Sequence, residues 1–196
     1  MPYRNIQSWE NTTTKEPGKD FKCGYCGKEV TGSKAYNANI ITTSGTGSSG
    51  YFIYICPRCI KPTFFDENDK QHPGIQHGSS VDGVPPVIAE IYEESRRAFS
   101  VNSYTLCVMG CRKVVMNLAI DKDAETNKTF AFYIDWLEDN NYINPTIKPW
   151  VEKIKDAGND ANHEQESTSV NEAEQILDFV EMLLKLVYEY PKKLQS

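Results

Sequence analysis

Two spacings of apolar residues divide the chain. Up to about residue 65 the pattern alternates. Tyr51-Phe52-Ile53-Tyr54-Ile55 has the two-residue period of a strand, and residues 21–65 read as strand-rich throughout. The run Ser44-Gly45-Thr46-Gly47-Ser48-Ser49-Gly50 ahead of it predicts a mobile hairpin tip. Residues 1–20, with Asn11-Thr12-Thr13-Thr14 and Pro17-Gly18, keep no period and read as a loosely attached lead-in. Residues 66–85 hold several Gly and Pro and read as a linker.

From Pro86 the period becomes helical. Ile88, Ile91, Tyr92, Ser95 and Phe99 fall on one stripe of a first helix. A second helix is expected from about Ser103 to Ile120, with Leu106, Met109, Val114 and Leu118 on its buried side, and a third from about Thr129 to Asn140. Asn144-Pro145 suits the start of a fourth, whose regular part opens at Pro149 and reaches about Asn162. In the last helix Ser169 and Glu172 form a capping box, Ile176, Phe179, Val180, Leu183, Leu184 and Val187 make the apolar stripe, and Pro191 is the expected stop. The fold class is therefore α+β, a small β module over residues 21–65 followed by an all-α bundle over residues 86–194.

Composition supports folding, since 39% of the residues are hydrophobic and 11% aromatic. No apolar stretch is long enough to span a bilayer, and the first residues lack the apolar core of a secretory signal. A cytoplasmic location with reduced thiols is the expectation. Charge is unevenly divided. Residues 1–80 carry 9 Lys and Arg against 7 Asp and Glu, whereas residues 81–196 carry 12 against 20. An acidic second half argues against a general duplex coat protein and leaves room for a local basic site.

The cysteines carry the clearest chemistry. Cys23-Gly24-Tyr25-Cys26 and Cys56-Pro57-Arg58-Cys59 are two tight turns, each aiming two thiolates at one point. Two such pairs complete a tetrahedron, the geometry that zinc favours, and a four-sulfur shell leaves no position for a reactive water. A structural zinc ribbon follows, whose folding and metal binding should be one event. Tyr25, Lys28, Lys34 and Arg58 place aromatic and basic groups around the turns, suited to a nucleic-acid contact or simply to solvent. Cys107 and Cys111, four apart on the second helix, read as small apolar core residues.

In the helical half, Gly158-Asn159-Asp160-Ala161-Asn162-His163, together with Tyr92-Glu93-Glu94-Ser95-Arg96-Arg97-Ala98, Cys111-Arg112-Lys113-Val114 and Tyr188-Glu189-Tyr190-Pro191, resembles a bacterial domain family of unknown function, number 4145. That family is grouped with the HEPN (higher eukaryotes and prokaryotes nucleotide-binding) helical domains, and the resemblance covers about Pro85 to Leu194. It implies a HEPN-like bundle, a homodimer and a setting in bacterial or phage defence. HEPN ribonucleases carry Arg-x-x-x-x-His. His163 matches the histidine, but Gly158 stands where the arginine belongs, so the catalytic pair is incomplete. Lys155 can supply charge upstream, without the planar fork of an arginine.

Asn159 and His163 are four apart and share a helix face, where they can converge on a ligand or bond an adjacent helix. Arg112 is a further candidate for phosphate. The expected function is a zinc-containing binding module for nucleic acid, a nucleotide or a protein partner. The alternatives are a metal-independent ribonuclease using His163 with Lys155, and a dimeric scaffold.

Overall fold

A computed structural model describes residues 6–12, 18–42, 45–144, 146, 150, 154 and 168–194. The chain forms two compact units, Met1–Gln76 and His77–Ser196.

The first unit is built on an antiparallel five-stranded sheet of order β1-β4-β5-β6-β7, accompanied by a separate β2–β3 hairpin. Its strands are β1 (Ile6–Asn11), β2 (Lys19–Lys22), β3 (Glu29–Gly32), β4 (Lys34–Thr42), β5 (Gly45–Ile55), β6 (Pro62–Phe65) and β7 (Gln71–His72). Register explains the alternation of the sequence. Ala35 lies opposite Tyr54, and Phe52 opposite Phe65, which puts these side chains on one face. Ala35, Tyr54 and Phe65 join Phe21 of β2 with Cys23 and Cys56 in a small core. Phe21, Tyr54 and Phe65 meet with ring centroids 5.4 to 6.4 Å apart.

Three expectations for this half are corrected. The Gly/Ser run is not a tip, because Gly45 to Gly50 belong to β5 and Thr46, Gly47 and Ser48 pair with Ile41, Ile40 and Asn39. Small residues with no period form a strand here because their neighbour supplies the ladder. The lead-in contributes β1, which pairs with β4 from Ile6 to Asn11. Residues 66–85 are structured in two parts. Residues 71–72 pair with β6, while residues from His77 onward fold with the helices.

The second unit contains α1 (Pro86–Ser100), α2 (Tyr104–Asp121), α3 (Phe130–Asp139) and α4 (Val170–Leu184), then a π-helical turn Lys185–Glu189 and a final helical segment Tyr190–Leu194. Pro at the first position of α1 and the hydroxyl of Ser169 start their helices as the sequence suggests, and the Thr129 hydroxyl caps α3. Thr129 accepts from the Phe132 amide and Ser169 from the Glu172 amide. The stripe on α1 and that on α4 face a common core with Leu118, Tyr133, Ile134 and Leu137.

On α2 the expected buried side is wrong in part. Leu106 and Met109 are 62% and 60% exposed, and Cys107, Val108, Cys111, Val114, Val115, Leu118 and Ala119 are buried instead. At about 100° per residue Leu106 and Met109 lie opposite the line through Cys107, Cys111, Val114 and Leu118. The helix is apolar on nearly every side, and Cys107 and Cys111, read as core residues from the sequence, lie at its buried centre.

Pro191 does not stop the last helix. Its ring opposes the carbonyl four residues back, and the coil widens just before it, with the Tyr190 amide bonding the Lys185 carbonyl five residues earlier. Residues 77–84 form a strap across α1 and α4. Arg96 of α1, 6% exposed, donates Nε to the His77 carbonyl at 2.9 Å and Nη2 to the Gly78 carbonyl at 2.8 Å. Glu181 of α4 accepts from the Ser79 amide at 3.0 Å and the Ser79 hydroxyl at 2.6 Å. Among the described residues, no helix is long and apolar enough to cross a membrane.

Candidate metal centre

The two cysteine turns have the same backbone plan. The Cys23 amide bonds the Lys28 carbonyl at 3.0 Å, and the Gly27 amide returns to the Cys23 carbonyl at 2.8 Å. In the second turn Cys56 bonds Lys61 at 3.0 Å and Ile60 returns to Cys56 at 2.9 Å. The equivalent residues Gly27 and Ile60 both sit in the left-handed region, at φ 65° and 60°. Glycine takes that conformation freely, whereas a β-branched isoleucine takes it under strain. The first turn also packs closely on residues 73–74, since a Cβ on Gly24 would lie 2.5 Å from the carbonyl oxygens of Pro73 and Gly74.

The turns bring four sulfur atoms together. The ligand atoms of Cys23, Cys26, Cys56 and Cys59 all lie within 4.8 Å of one another, a grouping that can hold a metal ion. Cys23 and Cys59 sulfurs are 3.7 Å apart and those of Cys26 and Cys56 3.9 Å apart, far beyond the disulfide length of about 2.05 Å. Cys23 and Cys56 are fully buried, and Cys26 and Cys59 half-buried. The Tyr25 amide points at the Cys23 sulfur from 3.4 Å.

The electrostatics of the thiols differ from one to the next. Burial pushes the Cys23 and Cys59 thiols up from their ordinary value. Burial acts in the same sense on Cys56, but the backbone amides of Cys59 and Arg58 and the adjoining thiols outweigh it and hold Cys56 below the usual value. Four converging sulfurs cannot all carry negative charge in so dry a place unless a positive ion joins them.

Lys155, Gly158, Asn159 and His163 lie outside the described residues, as does most of the expected fourth helix. Arg112 is described. Its Nη1 donates to the Ile154 carbonyl at 2.8 Å, and its guanidinium lies 4.2 Å from the centre of the Phe130 ring. The arginine thus holds the backbone one residue before Lys155. Arg96 is committed to the strap and to Glu93 at 2.6 Å. Cys107 and Cys111 are core residues, each fully buried. His72 pairs with Asp66 at 3.4 Å and His77 with Asp178 at 2.6 Å. Sequence reading missed the carboxylate of Glu181, whose partners Ser79 and Tyr92 lie about a hundred positions away, and a row of rings on the sheet that only strand register reveals.

Comparison with curated proteins and with solved structures gave no significant match. A family model described as a domain of unknown function, DUF4145, does match residues 93–196, over half of the chain. The opening helix with Glu93 to Ala98, the Arg112 segment and the closing Tyr188-Glu189-Tyr190 all fall within it, and on that match the chain belongs to the DUF4145 family.

Proposed function

We propose that this chain is a cytoplasmic binding module in which a structural zinc ribbon precedes a HEPN-like helical domain, joined as a homodimer. The observation that carries the reading is the spacing of the sulfurs. Four ligands about 2.3 Å from one tetrahedral zinc lie about 3.8 Å from each other, close to the 3.7 and 3.9 Å separations here. Four sulfurs fill that shell, so the ion organises the fold and leaves no position at which it would activate water.

The helical domain supplies the recognition surface, for nucleic acid, a nucleotide or a protein partner. Asn159 and His163 are its proposed ligand groups with Lys155 beside them, and Arg112 supports that segment through Ile154. Lacking an arginine at Gly158, the domain binds without cleaving. A role in bacterial or phage defence rests on the family resemblance alone.

Metal analysis tests the foundation. Elemental analysis of the purified chain should find one zinc per chain. Stripping it with a strong chelator should abolish the structure of the first unit, read by loss of the slowly exchanging amides of β4 and β5, while the helical signal of the second unit persists. Metal-free protein that keeps its sheet would refute the reading.

A further inference from the structure

The five-stranded sheet has a second face. Register places Asn11, Tyr36, Ile53, Phe64 and His72 opposite one another in turn across β1, β4, β5, β6 and β7, on the side away from the Tyr54 and Phe65 core. Trp9 and Tyr51 lie two residues along from Asn11 and Ile53 and so share this face. Their rings meet. Trp9 is edge-on to Phe64 with centroids 6.2 Å apart, Tyr51 is stacked on Phe64 at 6.0 Å, and His72 approaches Phe64 to 5.8 Å. Trp9 and Tyr36 remain 39% and 37% exposed.

Charge on this face is sparse, and one carboxylate, Asp66, meets it where it pairs with His72. Positions 34, 36, 51, 53, 55, 62 and 64 carry Lys34 and no carboxylate. Lys34 lies opposite Ile55, which leads into the second cysteine turn, where Arg58 and Lys61 are exposed. Lys61 stands 4.9 Å from the centre of the exposed Tyr25 ring. The aromatic row thus ends at Lys34, beside the strand end that leads into a turn carrying Arg58 and Lys61, within the half of the chain whose charge is positive.

Resting on the reading of the chain as a binding module, we infer that this face binds single-stranded nucleic acid, with unpaired bases stacked on Trp9 and Tyr36 and the backbone phosphates running toward Lys34, Arg58 and Lys61. Rings accept any unstacked base, and cations at one end neutralise the backbone without reading sequence. A duplex keeps its bases inside and offers the face only its charge.

The test uses the full-length, zinc-loaded chain and fluorescence anisotropy with labelled oligothymidylate, oligouridylate and duplex DNA, each about 12 nucleotides or base pairs long. Single strands should bind in preference to duplex, and the two single-strand arms show whether DNA or RNA is favoured. Trp9→Leu and Tyr36→Thr, chosen to keep strand-compatible side chains, should each weaken single-strand binding roughly 5- to 150-fold with zinc content unchanged. Lys34→Glu should also flatten the salt dependence, by about 0.7 in log–log slope for each phosphate that is no longer neutralised. Single-strand binding that survives both ring substitutions overturns the inference and leaves the binding-module reading intact. Zinc-loaded protein that ignores both strands overturns it as well, whereas protein found to lack zinc refutes the ribbon reading itself.

Discussion

Substituting Glu181 by glutamine tests the strap that ties residues 77–84 to the helices. The side chain is 14% exposed, and its oxygens take the Ser79 amide, the Ser79 hydroxyl, the Tyr92 hydroxyl at 3.4 Å and the Lys185 ammonium. Glutamine keeps one acceptor oxygen and presents an NH2 to the remaining donors. At least one charge-assisted bond is lost, worth about 1.5–3 kcal/mol, and the Lys185 share is discounted because that side chain is 27% exposed. A loss of about 2 kcal/mol at pH 7 is expected, or roughly 6–10 °C in the Tm of the helical unit.

The effect has a pH signature. Burial pushes the Glu181 pKa up, but the bonds from Lys185 and Ser79 outweigh it and hold the carboxyl below its ordinary value. A group with a lowered folded pKa contributes its stability above its unfolded value, about 4.3, and loses it as pH falls through the folded value. Wild type and variant should therefore converge as pH falls below the ordinary carboxyl value and separate at neutrality. Far-ultraviolet melts across this range decide the matter. Equal Tm values at neutral pH, or a gap that does not narrow in acid, would refute the reasoning.

Other consequences are as direct. Gly110→Ala on α2 places a Cβ 2.2 Å from the Ser95 hydroxyl, itself buried and bonded to the Ile91 carbonyl, and should lower stability by about 1–3 kcal/mol in urea melts. Adding Ser95→Ala should recover that loss, whereas additive effects would mean that the two side chains do not collide. Ile60→Asn relieves a left-handed isoleucine that is 70% exposed, and should strengthen metal retention about fivefold against a competing chelator, an improvement of about 1 kcal/mol. Mixed RNA incubated with wild type and with His163→Ala should give identical profiles; cleavage by wild type alone would restore the ribonuclease alternative.

What the sequence reveals is what is local. Each cysteine turn is defined within six residues, and its partner turn has the same spacing, so the quartet stands out without any knowledge of the sheet. The stripes on α1 and α4 are legible because polar residues interrupt them, and α2 misleads because too few do. β1 is a polar strand whose existence depends on the neighbour it pairs with. The strap is invisible for a related reason. Arg96 and Glu181 look like ordinary surface charges until folding places the backbone of residues 77–79 between them. The face carrying Trp9, Tyr36 and Phe64 needs several strands in register before its rings form a row.

The π-helical turn at Lys185–Glu189 acts as a one-residue insertion in the closing helix. Because of it Tyr188 reaches Asp121 at 2.8 Å and Glu189 receives the Asp82 amide at 3.3 Å. Each helical residue advances the coil by about 100°, so deleting a single residue there would swing everything after it around the barrel of the helix. The chain would keep its composition and nearly all its length, yet its last tyrosines would face new directions. Relatives aligned across this turn should therefore shift frame in whole-residue steps, and the place where they do marks which of them keep the widened coil.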